Sequence, residues 1–273
     1  MRSATNYITY LTNIANNGDT KAQYLLGVAY YDGRIVAKNL TLSQKWFNLA
    51  AQNGNLEAEV GLARICEANG NYIQAHGIMK KAAKRGCVTA QSNLGITYSR
   101  GNPCVKQDYY EAAKWLTKAA KQGEPEALSN LAILYANGLG VQKDTSKALK
   151  LWVQSANKNY APAQTQLGLL YFLGNIVKKD YAQAESWLLK ALWNGVIIVL
   201  PLLGEIYTTG GHGITQDYKK AYFYYNQAYN SLDTFDGYSI VDVADNTCGK
   251  YELISKSEIK QKMMAIEAII NAQ

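Results

Sequence analysis

Residues 90–123 carry two runs of apolar side chains at helical spacing, separated by a polar loop that contains glycine. In the first run, Leu94, Ile96 and Tyr98 accompany the small residues Ala90 and Gly95, which predicts a short first helix. In the second run, apolar residues recur every three or four positions over 110–120, which predicts a second helix with one buried stripe. A glycine inside the first helix costs about 1 kcal/mol, so its presence predicts close packing of the second helix there. The stretch is predicted to be a helical hairpin.

The same hairpin pattern recurs about six times along the chain. The leading small residue of each copy is found at Ala22, Ala58, Ala90, Ala127, Ala163 and, conservatively, Val199. A leucine follows four residues later in every copy, at Leu26, Leu62, Leu94, Leu131, Leu167 and Leu203. A tyrosine follows four residues after the leucine in five copies, and Cys66 replaces it in the second. Regular copies of this length indicate a solenoid.

These positions, written A-x-x-x-L-G-x-x-Y with a later A-x-x-W-x-x-x-A-x-x-x-G, resemble the Sel-1-like repeat (SLR) family, an α/α relative of the tetratricopeptide repeats. The resemblance covers roughly residues 18–230 and implies an adaptor fold, and it does not imply a catalytic residue. An aspartate after the loop suits the start of the second helix, where the helix dipole favours a carboxylate. The matching aspartates are Asp108, Asp144, Asp180 and Asp217.

The predicted fold class is all-α: a right-handed α/α solenoid of about six helix-turn-helix repeats, with an N-terminal half-repeat cap and a C-terminal capping helix. Residues 1–18 form the cap, because Tyr10 precedes Gly18 as Trp46 precedes Gly54. The predicted repeats are 19–54, 55–86, 87–123, 124–159, 160–195 and 196–230. The second repeat is about four residues short, because ANGNY at 68–72 replaces a longer loop.

After residue 230 the repeat pattern stops, and residues 231–254 show no clear period. Ser255 and Glu258 then offer a capping box, and apolar residues follow on one helical face at Ile259, Met263, Ile266 and Ile270. Residues 256–271 are therefore predicted to form a helix that covers the last repeat. The alternative is an amphipathic helix that docks a partner.

The chain of 273 residues has a formal net charge of +7, with its lysines spread over the repeats. The densest basic cluster is Lys80, Lys81, Lys84 and Arg85, which is interpreted as compensation of a helix dipole at a solvated helix end. A specific nucleic-acid partner is not predicted, since a phosphate backbone requires a row of basic side chains. The four cysteines, Cys66, Cys87, Cys104 and Cys248, lack a periodic pairing, so a reducing compartment is favoured. A single disulfide bridge between Cys66 and Cys87 is kept as an alternative.

No apolar run is long enough for a membrane span, and the first residues have no apolar signal-peptide core. The sequence as written predicts a cytoplasmic protein, or a periplasmic or secreted one if a precursor segment was removed. The two histidines, His76 and His212, have no zinc-ligand spacing, and the glycines of 210–213 lack the Lys-Ser/Thr of a phosphate loop. No metal, cofactor or catalytic residue is predicted.

A protein partner is predicted to bind the concave face formed by the first helices. By resemblance to tetratricopeptide geometry, the residues predicted to contact the partner are Tyr24, Tyr31, Asp32, Arg64, Glu67, Ser92, Ser99, Arg100, Asn137, Phe172, Leu173 and Glu205. Tyrosine and arginine are enriched in interface hot spots. Phe172 and Leu173 stand out because neither is expected to be required for repeat packing. The alternative is that Phe172 packs on its neighbour.

The predicted function is a non-enzymatic scaffold or adaptor, acting as a monomer or in a 1:1 complex with its partner. The resemblance implies three forms: a regulator, an immunity protein that neutralises a toxin, or a host-interaction effector. An alternative of another class is an exported protein that binds or hydrolyses β-lactams or peptidoglycan, which the resemblance implies because some SLR proteins are cysteine-rich and β-lactamase-like.

Overall fold

The computed structural model describes residues 2–231 and 255–272, with side chains from residue 6 onward. Its regular structure in these ranges is helical, and no strand occurs there. The helices are α1 (Arg2–Asn16), α2 (Thr20–Asp32), α3 (Leu40–Gln52), α4 (Leu56–Ala68), α5 (Tyr72–Lys84), α6 (Val88–Arg100), α7 (Tyr109–Lys121), α8 (Pro125–Asn137), α9 (Thr145–Ala156), α10 (Ala161–Leu173), α11 (Tyr181–Trp193), α12 (Leu200–Thr209), α13 (Tyr218–Ser231) and α14 (Lys256–Asn271). A 3₁₀ turn, Ile197–Val199, precedes α12.

The chain divides into two compact units, an N-terminal unit of residues 1–127 and a C-terminal unit of residues 128–273. In the N-terminal unit, α2 packs on α3, α4 on α5 and α6 on α7. In the C-terminal unit, α10 packs on α11 and α12 on α13. Within each unit, second helices also contact the first helix of the next hairpin, as α3 contacts α4, α5 contacts α6 and α9 contacts α10. The predicted all-α solenoid class is confirmed, whereas the repeat boundaries stay a prediction.

Close packing inside a hairpin depends on the glycine of the first helix. A Cβ atom added to Gly95 would lie 2.4 Å from Cγ and 2.7 Å from Cδ2 of Leu116, and 3.1 Å from the Leu116 backbone nitrogen. Carbon atoms in normal contact are about 3.5–4.0 Å apart, so a side chain at this position would push α7 away from α6. The predicted close approach at Gly95 is confirmed.

The loop between the two helices of a hairpin closes in the same way in repeat after repeat. The backbone N–H of Asp108 donates to the carbonyl oxygen of Tyr98 at 2.8 Å, and that of Asp180 donates to the carbonyl oxygen of Tyr171 at 2.9 Å. The predicted aspartate caps are also present, since a carboxylate oxygen of each accepts a backbone N–H in the first turn of its helix. These residues are Asp108, Asp144, Asp180 and Asp217.

A buried glutamine links three successive helices in three of the repeats. Its side-chain nitrogen donates to a carbonyl oxygen of the preceding second helix, and its side-chain oxygen accepts from an amide at the end of its own second helix. The sets of glutamine, carbonyl and amide are Gln23–Ala15–Asn53, Gln91–Ala83–Gln122 and Gln164–Ala156–Asn194, with distances of 2.8–3.2 Å. In the second repeat Glu59 takes the glutamine position and forms an ion pair with Arg85. This relay was not predicted.

The two terminal helices cap the units to which they belong. Helix α1 packs on α2 through Leu11 and Ala15, while Tyr10, at the register position of the buried Trp46, is 62% exposed. Helix α14 packs on α13 and begins with the predicted capping box. Its Ile259 and Ile266 are buried against the core that includes Tyr225.

Helix α14 is thus the predicted covering helix, although Met264 and Ile269 face outward. Residues 232–254 and Cys248, on which two predictions rest, lie outside the described residues. Cys66, Cys87 and Cys104 are free thiols, so the described residues hold no bridge between Cys66 and Cys87. Cys66 is only partly buried.

Candidate functional site on the first helices

In the N-terminal unit the first helices of successive hairpins contact each other directly, α2 against α4 and α4 against α6. We call the exposed and half-exposed side chains of these three helices the first-helix surface. Eight of the residues predicted to bind a partner lie on these helices: Tyr24, Tyr31, Asp32, Arg64, Glu67, Ser92, Ser99 and Arg100. The other four belong to the C-terminal unit.

The two tyrosines of α2 that were predicted as site residues, Tyr24 and Tyr31, are half-buried and therefore held in fixed positions. The ring centroid of Tyr24 lies 5.9 Å from that of Phe47, and Nζ of Lys38 lies 5.5 Å from the ring centroid of Tyr31. Burial is the main cause that raises the pKa of Tyr24, so its hydroxyl stays protonated and can donate a hydrogen bond. Asp32, at the end of the same helix, is exposed.

Arg64 and Arg100 are exposed and share one acidic neighbour, Glu126, which was not predicted as a site residue. The pKa of Glu126 is raised, first by burial and then by Glu124, while Arg100 and Arg64 act in the opposite direction. Glu126 directly follows the end of a hairpin, and its sequence context gave no signal that the two arginines lie nearby. With Glu67 on α4 and the two arginines, the first-helix surface carries charge of both signs, and Glu126 of α8 lies next to it.

The two predicted serines contribute little to this surface. Ser92 is 2% exposed, and its Oγ has no hydrogen-bond partner within the described part of the chain. Ser99 donates its hydroxyl to the carbonyl oxygen of Gly95 at 3.0 Å. Ser92 is thus enclosed and the Ser99 hydroxyl donates within its own helix, while the predicted partner contacts of both serines stay untested.

A pocket opens on this surface between the second and third repeats. Its cavity volume is about 230 Å³, and its lining residues are Arg64, Glu67, His76, Met79, Asn93, Leu94, Ile96, Thr97 and Asn102. Nε2 of His76 lies 3.5 Å from the Tyr98 hydroxyl, and the two rings meet edge to face. Burial, followed by repulsion from Lys80, lowers the pKa of His76, so the imidazole is neutral near pH 7.

The polar lining of this pocket differs from the equivalent positions between the fifth and sixth repeats. Four polar residues of the pocket occupy register positions that are filled there by large, buried apolar side chains. The pairs are Arg64 and Leu169, Glu67 and Phe172, Asn93 and Leu202, and Thr97 and Ile206. The same register positions therefore carry buried apolar side chains in the C-terminal unit and line an open polar pocket in the N-terminal unit.

The predicted site residues of the C-terminal unit serve mainly as packing residues. Phe172 is 9% exposed and stacks on Tyr181, with ring centroids 5.5 Å apart, and Leu173 packs on the same core. The expectation that Phe172 is not required for repeat packing is wrong, because Tyr181 at the start of α11 closes over its ring. Its predicted contact with a partner stays untested.

Glu205 is engaged within the chain. Its Oε2 accepts from the Tyr225 hydroxyl at 2.8 Å and from Nζ of Lys262 on α14 at 2.7 Å. Asn137, the remaining predicted residue, is half-buried at the end of α8. A partner that binds Glu205 would have to compete with the ion pair between Glu205 and Lys262, which connects α12 with α14.

The described residues offer neither a metal site nor a membrane span. These residues contain no group of three or more His, Cys, Asp or Glu side chains that could hold a metal ion. His212 lies in an exposed loop, where its carbonyl oxygen accepts the backbone N–H of Tyr181 at 2.8 Å. None of the described helices is long and apolar enough to cross a membrane.

The model of the Sel1 repeat matches residues 20–55, 88–124, 125–160, 161–192 and 202–231, which is more than half of the chain. The chain belongs to the Sel1 repeat family. The predicted resemblance is therefore confirmed. The unmatched interval includes the second hairpin, whose Arg64, Glu67 and His76 form one side of the pocket.

One curated relative is the ERAD-associated E3 ubiquitin-protein ligase component HRD3A of Arabidopsis thaliana, which is 31% identical over 194 residues. The match covers 71% of this chain, and the chain spans about a quarter of the relative's length.

Among solved structures, a Sel1 repeat protein from Oxalobacter formigenes is 25% identical with a TM-score of 0.69, over 82% of this chain and 99% of that one. A protective antigen of uropathogenic Escherichia coli with an SLR fold is 30% identical with a TM-score of 0.69, over 94% of this chain and 56% of that one. An immunity protein from Pseudomonas aeruginosa shares the fold at 21% identity and a TM-score of 0.56, over 85% of this chain and 88% of that one. The Sel1 repeat fold is a scaffold for protein interaction.

Proposed function

We propose that this Sel1 repeat protein is a non-enzymatic scaffold that binds a segment of a protein partner on the first-helix surface of its N-terminal unit. The observation that carries the proposal is the polar pocket between the second and third repeats. Polar side chains replace four core positions there, although apolar side chains at the same positions pack well elsewhere in the chain. The polar side chains add no packing contacts to the folded chain. A ligand that enters the pocket would form contacts with them.

The pocket walls offer unpaired hydrogen-bonding groups of both signs. Arg64 and Glu67 are three residues apart on α4, yet neither forms an ion pair within the described residues. The volume of about 230 Å³ equals that of roughly seven water molecules, or one large side chain. A protruding polar side chain of the partner would displace this water and satisfy both groups.

The tyrosines of α2 would form the apolar part of the contact. Tyr24 and Tyr31 are both half-buried, so ordering them on binding costs little conformational entropy. Tyrosine and arginine supply a large share of the binding energy in protein interfaces. A partner segment that lies across α2 and α4 would therefore contact the two residue types that most often act as hot spots.

The test begins with affinity purification of the tagged chain from its own cells and mass spectrometry of the co-eluting proteins. The captured partner is then titrated against a variant with Arg64→Ala and Glu67→Ala. We expect affinity to fall by about thirtyfold or more, which corresponds to roughly 2 kcal/mol for a hot spot. The matched control replaces Arg34 and Glu267, which are exposed and outside the pocket, by alanine and should leave affinity within about twofold.

Equal affinities of the pocket variant and the control for a stoichiometric partner would refute the pocket assignment. Failure to capture any protein, combined with direct binding of a purified cell-wall fragment, would instead favour the exported β-lactam- or peptidoglycan-binding alternative. Regulator, immunity protein and host-interaction effector are three forms of the scaffold function. An immunity protein requires that the captured partner is toxic when expressed alone and harmless when this chain is co-expressed.

A further inference from the structure

Charge is distributed unequally between the two helices of each hairpin in the N-terminal unit. The second helices α3, α5 and α7 together hold seven lysines and a single acidic residue, Glu111. The first helices α2, α4 and α6 hold three basic and four acidic residues. The lysines are therefore concentrated in one layer of helices, which the sequence pattern alone did not suggest.

Four of these lysines form a regular array in the second and third repeats. Lys81 and Lys84 precede Gly86 by five and two residues, and Lys118 and Lys121 precede Gly123 by the same intervals. Residues three apart on a helix have Cβ atoms about 5–6 Å from each other, so each pair lies on one face of its helix. All four side chains are exposed, and none forms an ion pair within the described residues. We call these four residues the lysine surface.

Compensation of the helix dipole does not account for the lysine surface. If the negative end of each second helix required basic side chains, the other second helices would carry them in the last turn as well. Helices α3, α9 and α13 have no basic residue in the last turn, and α11 has only Lys190. Of these second helices, α5 and α7 alone have two lysines in the last turn. The reason for these lysine pairs is therefore specific to the second and third repeats.

The side chains around the array give it a defined shape. Nζ of Lys118 lies 4.4 Å from the ring centroid of Trp115, which is buried, so this lysine is held over a rigid support. Two large apolar residues are exposed at the opposite end of the same helices, Ile73 on α5 and Tyr110 on α7. Both lie thirteen residues before the terminal glycine of their helix. Because Tyr110 is exposed, the predicted buried stripe of residues 110–120 is wrong at its first position. The exposed faces of α5 and α7 thus carry an apolar side chain at one end and lysines at the other, and protein interfaces combine both residue types.

We infer that the lysine surface binds an acidic protein surface, at a face separate from the pocket on the first helices. Charge complementarity is the reason, because four unpaired ammonium groups favour a partner with several carboxylates and raise its rate of association. The exposed Ile73 and Tyr110 favour a protein over a bare polyanion, since they supply apolar area that phosphate cannot use. On this inference, the excess of basic residues serves to bind a partner through the second and third repeats.

The test uses a fluorescein-labelled peptide of about twenty residues rich in glutamate and interspersed with leucine, followed by fluorescence anisotropy at low salt. The variant reverses the array with Lys81→Glu, Lys84→Glu, Lys118→Glu and Lys121→Glu. The matched control reverses the exposed lysines Lys143, Lys158, Lys178 and Lys219, which causes the same change in net charge. We expect the array variant to weaken binding by about tenfold or more and the control by less than about threefold.

Equal weakening in both variants would overturn the inference, because net charge alone would then explain the binding. A DNA duplex and a vesicle of anionic phosphatidylglycerol serve as competing probes, and tighter binding of either one through the same lysines would also overturn the inference. Circular dichroism of the array variant verifies its helical content, and Lys→Gln changes at the four positions replace the reversals if helix is lost. The pocket variant Arg64→Ala with Glu67→Ala should bind the peptide normally, so failure of one proposal is distinguishable from failure of the other.

Discussion

Replacement of Gly95 by alanine tests whether the close contact between the helices of a hairpin limits the size of the side chain. The added Cβ would lie 2.4 Å from Cγ of Leu116, a branched atom near the helix and not the far end of a flexible chain. Overpacking of this kind costs about 1–3 kcal/mol, and the 3.1 Å approach to a backbone nitrogen places this case near the upper value. Alanine regains about 1 kcal/mol of helix propensity. We expect a net loss of about 2 kcal/mol.

Gly77 provides the matched control, because it lies inside α5 and has no atom within 4 Å of its added Cβ. Gly77→Ala should therefore raise the helix propensity of α5 without a steric clash and stabilise the chain by about 1 kcal/mol. Urea unfolding followed by far-ultraviolet circular dichroism compares the two variants in one assay. A difference of about 3 kcal/mol between them is expected. Equal effects of the two substitutions would refute the steric reasoning.

The second repeat suggests a way to rescue the Gly95 variant. Its equivalent residue is Ala63, which is fully buried in the same core cluster as Met79. Methionine is unbranched and fills irregular gaps, so it leaves room for the methyl group of alanine. We expect Leu116→Met to recover at least half of the stability lost in Gly95→Ala. A lack of recovery would indicate that the backbone contact, and not the leucine side chain, decides the cost.

Three further outcomes are expected. With the denatured, unreduced protein, a thiol reagent should titrate all four cysteines, whereas in the native protein Cys104 should react well before Cys87, which is buried and whose pKa is raised to about 11. An NMR titration should place the pKa of His76 below 6.5; because the folded pKa is lowered, the stability contributed by neutral His76 is present above 6.5 and is lost as the pH falls. Arg85→Ala should destabilise the chain by about 1–3 kcal/mol in thermal unfolding, because Glu59 then lacks its partner. The pair Glu59→Gln with Arg85→Asn should restore stability to within about 1 kcal/mol, and failure to do so would contradict the equivalence with the glutamine relay.

The fold was predictable from sequence because each repeat carries several independent signals at fixed spacing. Leu94 and Gly95 identify the face of the first helix that meets the second, and Asp108 identifies the start of the second helix. All three have the predicted role in the structure. Agreement between apolar pattern, small residue and cap in most copies leaves few alternative folds.

The candidate site was harder to predict, because register alone does not distinguish a surface position from a packing position. Phe172 and Glu67 occupy the same register position, yet one is buried under Tyr181 and the other lines an open pocket. The difference lies in the packing of the tyrosine that begins the second helix. Tyr181 is 4% exposed, whereas the equivalent Tyr72 is 37% exposed. Long-range packing of this kind is set by the neighbouring repeat and cannot be inferred from one repeat.

The departures from the repeat pattern are concentrated in the second repeat and its contact with the third. There the loop is short, an ion pair of Glu59 and Arg85 replaces the buried amide link, and the family model finds no match. Both candidate binding surfaces also involve this repeat, the pocket through Arg64 and the lysine surface through Lys81. Sites at which a chain breaks its own local rules without a gain in packing are where function is expected. The regular repeats therefore serve as the framework, and the irregular repeat is the part of the chain in which we expect substitutions to alter binding before they alter folding.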